Sequence, residues 1–181
     1  MMILVRNPVG RIRSEHLRAQ TFARVTVLVA LASIVAGCSA ANGDGSSPAP
    51  PLQLRLVTSS VEGPCSAAPL TSDGPGSACD VAGNTTYQVG ESLGVVTPRS
   101  VKRDGQEKRA VSTQLDKADA KKFGDVTGKA VQKQLAILLN GKVISAPVVA
   151  EPLTTGKVTL TFETEAEAQR VATELGASPT S

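Results

Sequence analysis

Few side chains in this sequence could do covalent or acid–base chemistry. The single histidine, His16, lies in an arginine-bearing N-terminal stretch. Beyond residue 37 no imidazole remains for a metal site or a proton shuttle. Ser112, Ser145, Asp116, Asp119, Glu151 and Glu163 offer hydroxyls and carboxylates, but no spacing pairs a nucleophile with a base. Without histidine, a Ser–Lys arrangement is the main remaining nucleophilic option. Lys142 and Ser145 stand three apart on one predicted strand, and odd spacing sends them to opposite faces. The expectation is a protein that is not an enzyme. That leaves three thiols: Cys38, Cys65 and Cys79. A zinc site is a poor use for them, because no third or fourth soft ligand accompanies Cys65 and Cys79. No metal and no cofactor are expected.

Cys38 has the clearest context. Arg6, Arg11, Arg13, Arg18 and Arg24 face a single acid, Glu15, and an apolar stretch from Val25 to Ala36 follows. Twelve residues suit the core of a signal peptide and fall short of the roughly 20 that cross a bilayer as a helix. Val35–Cys38, VAGC, resembles the bacterial lipobox. That resemblance implies a diacylglycerol on the Cys38 thiol, cleavage just before it, and a lipoprotein whose acyl chains (palmitate among them) attach it stably to the membrane. The other readings are an uncleaved anchor, or an ordinary signal peptide with an incidental cysteine. Residues 1–37 are thus read as the signal peptide and 38–51 as a lipidated tether. Residues 39–51 are small, polar and proline-rich, and such a segment spans about 20 Å. The expected location is the extracytoplasmic face of the cell membrane.

Lipidation of Cys38 leaves Cys65 and Cys79, in the run GPCSAAPLTSDGPGSACD. Outside the cytoplasm they can oxidise. A bridge closing this loop contributes about 3 kcal/mol in the chain-entropy picture. Two free thiols are the alternative. Without residues 1–37 the formal charge is −1, so there is no basic footprint for nucleic acid. Phe123, Phe162 and Tyr87 are the only aromatics left, too few for stacking platforms.

The elements that position these groups begin at Leu52. Leu52, Leu54 and Leu56 alternate with Gln53, Arg55 and Val57, the pattern of a strand with one buried face. Residues 57–109 are weakly patterned and read as loop-rich. Lys102, Arg103, Lys108 and Arg109 read as a solvated loop. Val111, Thr113 and Leu115 predict a strand, and Asp116 can cap a helix with Asp119 in its first turn. Ala120, Phe123, Val126 or Thr127, and Ala130 give that helix an apolar stripe, which Gly124 and Gly128 weaken. Leu135–Leu139, LAILL, is a buried strand. Asn140-Gly141 supplies the positive φ pair of a tight hairpin. Lys142–Ser145 return, and Pro147 ends the strand. Val158, Leu160 and Phe162 mark another strand. Thr164 and Glu167 form a capping box, and Ala168, Val171, Ala172 and Leu175 line the last helix, which Gly176 closes. The predicted fold is α+β: a mostly antiparallel sheet with two helices on one face, preceded by a signal peptide and flexible tether.

Leu135–Val149, LAILLNGKVISAPVV, resembles the SecD family of protein translocase subunits, in the head of its first extracytoplasmic domain. Pro152, Gly156 and the helix ETEAEAQRVATEL continue the likeness. Upstream, VSTQLDKADAKKFGDVTGKAV is similar to the family's strand and helix, while LQLRLV, the paired cysteines and YQVG are similar to actinobacterial SecD chains. The likeness covers residues 52–179 and is weak over 57–109. It departs at Asn140, where the family carries aspartate, and at Thr155, where it carries glycine. The resemblance implies a stand-alone head that does not itself conduct protons, since the family's membrane helices would follow near Ser181.

The function it implies is a membrane-tethered, non-catalytic protein-binding module accessory to protein export. Its partners would be the membrane, through the lipid, and translocase subunits or exported polypeptides. Ser145, Ala146, Pro147, Glu151 and Pro152 are the candidate partner-contact loop. The bland reading of Ser-Ala-Pro is a strand terminator. The alternative function is an envelope structural or interaction lipoprotein that kept the fold without an export role.

Overall fold

The computed structural model describes residues 48–103 and 105–177. Cys38, the predicted signal segment and most of the predicted tether lie outside the described residues. Eight strands and two helices follow in order: β1 (Leu52–Glu62), β2 (Gly76–Cys79), β3 (Thr85–Val96), β4 (Pro98–Arg103), β5 (Ala110–Leu115), α1 (Lys117–Lys129), β6 (Leu135–Leu139), β7 (Lys142–Ser145), β8 (Lys157–Thr161) and α2 (Glu165–Glu174). The α+β class with antiparallel strands and two helices holds. Among the described residues no helix is long and apolar enough to cross a membrane.

The strands form two sheets where one was expected. Five run in the order β2-β3-β1-β6-β7 and three in the order β4-β5-β8. The chain changes sheet at Thr97, between β3 and β4. Asp119, in the first turn of α1, holds this corner: Thr97 N donates to its Oδ2 at 2.7 Å, and Lys122 Nζ donates to its Oδ1 at 2.8 Å. Those two bonds hold the Asp119 carboxyl below its usual range, against an opposing push from burial. The edges of the larger sheet also meet. Asp80, just after β2, forms a parallel bridge with Val143 of β7, and Val81 N donates to Val143 O at 3.1 Å.

The stretch read as loop-rich contains β2, β3 and β4 together with the end of β1. Three register shifts interrupt the β1–β3 pairing, between Leu54 and Arg55, Arg55 and Val57, and Val57 and Ser59. Each bulge flips the side-chain phase, so the alternation that identifies a strand is lost from the sequence while the pairing survives. β4 also corrects the solvated-loop reading for Lys102 and Arg103, while Lys108 and Arg109 lie in an exposed turn. Arg103 donates to Gln169 Oε1, to Lys108 O at 3.0 Å and to Glu165 Oε1 at 3.3 Å, tying β4 to α2.

The main core gathers Leu52 and Leu54 from β1, Val111 and Leu115 from β5, Phe123 and Val126 from α1, Leu135, Ile137 and Leu139 from β6, and Ala168, Val171 and Leu175 from the α2 region. Full burial of such a side chain contributes about 2 kcal/mol. The opposite face of β6, Ala136 and Leu138, joins Ala78, Val89 and Val143 in a second cluster. Both faces of β6 are therefore covered, which explains five buried residues in a row.

The local signals at the helix ends hold. Asp116 accepts from Asp119 N, and Thr164 and Glu167 form the full capping box. Asn140 and Gly141 have φ of 49° and 77°, as a tight two-residue hairpin turn demands.

Candidate protein-contact site

The predicted contact residues fall into two places. Ser145 ends β7, and the chain beyond it runs back along residues 131–135. Gln134 Nε2 donates to Ala146 O at 2.8 Å, Leu135 N to Pro147 O at 2.9 Å, and Gln132 N to Val149 O at 2.8 Å. Pro147 lies two residues past the end of β7, and the pairing continues because its carbonyl still accepts. These carbonyls are spent inside the molecule, so the segment is no open strand edge. What it presents outward is side chain, above all Val148, which is 65% exposed.

The second half, Glu151 and Pro152, leads across α1. Leu153 N donates to Thr127 Oγ1 at 2.9 Å, and that hydroxyl donates to Phe123 O at 2.8 Å. Gly124 allows this approach. A Cβ at Gly124 would lie 3.3 Å from Thr154 Cγ2, and one at Gly128 would lie 3.9 Å from Pro152 Cγ. Gly124, which looks like a helix weakness, thus admits the crossing segment, whereas a Cβ at Gly128 would make only ordinary contact. A glycine inside the helical pattern was the available signal; Thr127, expected only as a stripe position, holds the crossing segment through its hydroxyl. Between α1 and this segment lies an open groove of about 1170 Å³, lined by Leu115, Ala120, Gly124, Gly128, Pro152 and Thr154 among others. Leu153 stands 40% exposed beside it.

Ser145 instead lines a small cavity of about 160 Å³ with Tyr87, Phe162 and Glu167. Burial, with the Asp80 carboxylate, pushes the Tyr87 phenol up, and a hydrogen bond to Thr85 draws it back. Lys142 lines a different cavity, with Glu167, Arg170 and Glu174.

Cys65 and Cys79 are joined in a disulfide, with Cα atoms 5.6 Å apart. Arg55 orders their loop as well, which the sequence does not announce. Arg55, placed by alternation on the open face of β1, is 0% exposed. Its Nη1 donates to Gly74 O at 2.6 Å and to Gly90 O at 3.0 Å, its Nη2 donates to Ser72 O, and its Nε donates to Gln53 Oε1 at 2.9 Å. Burial pulls the guanidinium pKa down, and the charge of Asp73 pushes it back up. It stays charged at any ordinary pH. The loop also reaches the hairpin, where Leu70 N donates to Gly141 O at 3.0 Å. Asn140 and Gly141 thus form the turn and seat the cysteine loop.

Comparison with known proteins covers the chain from β3 onward. The family described as SecDF, P1 head subdomain, matches residues 83–179. The protein translocase subunit SecD of Acidaminococcus fermentans is 40% identical over 94 residues, which are 51% of this chain and 22% of that protein. SecD of Dictyoglomus turgidum is 47% identical over 64 residues, 34% of this chain and 16% of that one. The chain thus spans less than a quarter of the length of these relatives. A crystal structure of SecDF in a super-membrane-facing form is 23% identical, with a TM-score of 0.47, over 72% of this chain and 19% of that chain. With more than half of its residues matched, the chain belongs to the SecDF P1 head subdomain family.

Proposed function

We propose that this protein is a membrane-tethered, non-catalytic module that binds proteins in the course of export. Family membership supports the export setting, since the matched relatives are named protein translocase subunits. The lipobox-like VAGC supports attachment through Cys38 at the extracytoplasmic face of the membrane. The observation that carries the binding role is the segment 147–155. It presents Val148 and Leu153 to solvent, Leu153 beside the groove on α1. Exposed apolar side chains next to a concave apolar surface are what a polypeptide partner recognises. Partners of this kind are translocase subunits or chains emerging in unfolded form.

The test is a crosslinking pull-down from membranes, comparing the native protein with Cys38→Ala. Export contact predicts capture of translocase subunits or precursor chains, with less capture once the tether is lost. Capture of unrelated envelope proteins alone would favour the other reading, a lipoprotein that kept the fold without an export role.

A further inference from the structure

We propose that the cavity lined by Asp80, Tyr87, Ser145, Phe162, Glu163 and Glu167 holds the cationic end of one side chain, an arginine guanidinium or a lysine ammonium, of a polypeptide partner. The inference rests on the reading of this chain as a protein-binding module, and it names a contact apart from segment 147–155.

The cavity forms where both sheets and α2 come together. Asp80 follows β2, Tyr87 stands on β3, Ser145 ends β7, Phe162 and Glu163 follow β8, and Glu167 lies in the first turn of α2. Its volume of about 160 Å³ takes one side chain and not an element of structure. Val143, Ile144 and Phe162 are buried, while Glu163 is exposed, so the cavity opens beside Glu163. The buried three give an apolar wall along which the methylene stem of a lysine or arginine can lie.

Glu167 is the group that asks for an occupant. It is only 9% exposed. Its Oε2 accepts from Thr164 N at 3.2 Å in the capping box, and its Oε1 has no partner among the described residues. A buried carboxylate with an unspent oxygen is costly, and a donor that carries positive charge is what relieves it. The same surroundings offer further unspent acceptors. Asp80 Oδ1 accepts from Asn84 N at 2.8 Å, while its Oδ2 and the Ser145 hydroxyl have no partner among the described residues.

The charge of the lining selects the sign of the ligand. Three carboxylates line this cavity, and among the described residues no lysine or arginine does. None of the three is in an ion pair among the described residues. Their field reaches Tyr87, whose phenol is pushed up by burial first and by Asp80, Glu163 and Glu62 besides, against a hydrogen bond to Thr85. Arg109 comes near, but its Nη1 donates to the Glu163 carbonyl, not to the carboxylate. Lys142 and Arg170 line the adjoining cavity with Glu167 and form no ion pair with it. An anion is therefore repelled, and a neutral side chain leaves the acceptors unmet. The aromatic rings of Tyr87 and Phe162 in the lining suit a cation as well.

The experiment uses the full chain and needs no label. Tyr87 is the single tyrosine and tryptophan is absent, so tyrosine emission reports this cavity alone. The probes are a capped pentapeptide with one arginine among alanines and serines, and the same peptide with neutral citrulline in its place, at fixed ionic strength. The arginine peptide should change Tyr87 emission saturably, and the citrulline peptide should not. Glu167→Gln keeps a residue suited to the capping box, and it should weaken the arginine peptide about tenfold. Glu163→Gln, at an exposed position where folding is not at risk, should weaken it about threefold. No response of Tyr87 to the arginine peptide, or equal binding by native protein and both variants, overturns the site. Spermidine tests the other source of such a cation, and binding of spermidine more tightly than the peptide overturns the polypeptide occupant. A silent Tyr87 while crosslinking from membranes still captures partners removes this cavity and leaves the protein-binding role. Saturable peptide binding with no partner captured keeps the cavity as a cation site and removes that role.

Discussion

The carboxylate of Asp119 accepts a hydrogen bond from the backbone N of Thr97 at 2.7 Å, at the point where the chain leaves one sheet for the other. One acidic side chain in the first turn of α1 thereby joins a helix start to a sheet corner. Its folded pKa lies below the ordinary carboxylate value, so its contribution to stability is fully present above about pH 4. That contribution is lost as pH falls through the depressed folded value. Asp119→Asn should cost about 1 kcal/mol near neutral pH. Urea midpoints measured from pH 7 downward should converge for the two proteins in acid. A constant gap across that range would contradict the assignment.

Gly141 carries a second, steeper prediction. Its φ is +77°, and an added Cβ would lie 2.6 Å from Leu70 N and 2.7 Å from Leu70 O. Gly141→Ala therefore meets both backbone strain and a backbone clash, together about 2–4 kcal/mol. Asn140→Gly, at a φ of 49°, removes a strained side chain and should stay within about 1 kcal/mol of the native protein. Equilibrium unfolding of the two variants gives the comparison. Near-equal midpoints would show that the loop does not press on the hairpin.

The Cys65–Cys79 bridge closes the loop that Arg55 grips. The double variant Cys65→Ser with Cys79→Ser should lose about 3 kcal/mol. Dithiothreitol should shift the native midpoint by the same amount and leave the double variant unmoved. A reductant effect on the double variant would point to some other thiol chemistry.

Attachment through Cys38 makes a mass prediction. Native protein extracted from membranes should begin at Cys38 and carry a diacylglycerol and further acyl chains. Cys38→Ala should appear at the mass of the uncleaved chain. An intact leader on the native protein, or an unmodified Cys38 thiol, would remove the anchor from the reading of its location.

What could be read from the sequence follows from how local each signal is. The Asp116 cap, the Thr164–Glu167 box and the Asn140-Gly141 turn are decided within four residues, and all stand as expected. LAILL is legible because a strand covered on both faces needs no alternation. β3 is illegible because its bulges shift the phase along TTYQVGESLGVV. β4 is hidden by its charges, which suit the edge of a sheet. Arg55 misleads for a different reason. Alternation gives its face correctly, but that face is covered by a loop from further along the chain, and no local pattern announces it. The contact segment 145–152 was legible as one motif and divides in space, because pairing of 147–149 with 131–135 turns it back before it reaches α1.

The protein-binding role is tested most directly by photocrosslinking in intact cells. A photoreactive residue is placed singly at Val148, at Leu153 and at Arg99, an exposed position on β4. Contact through the exposed apolar residues of segment 147–155 predicts adducts with translocase subunits or exported precursors from Val148 and Leu153, and none from Arg99. Equal adducts from all three positions, or none from Val148 and Leu153, would contradict it.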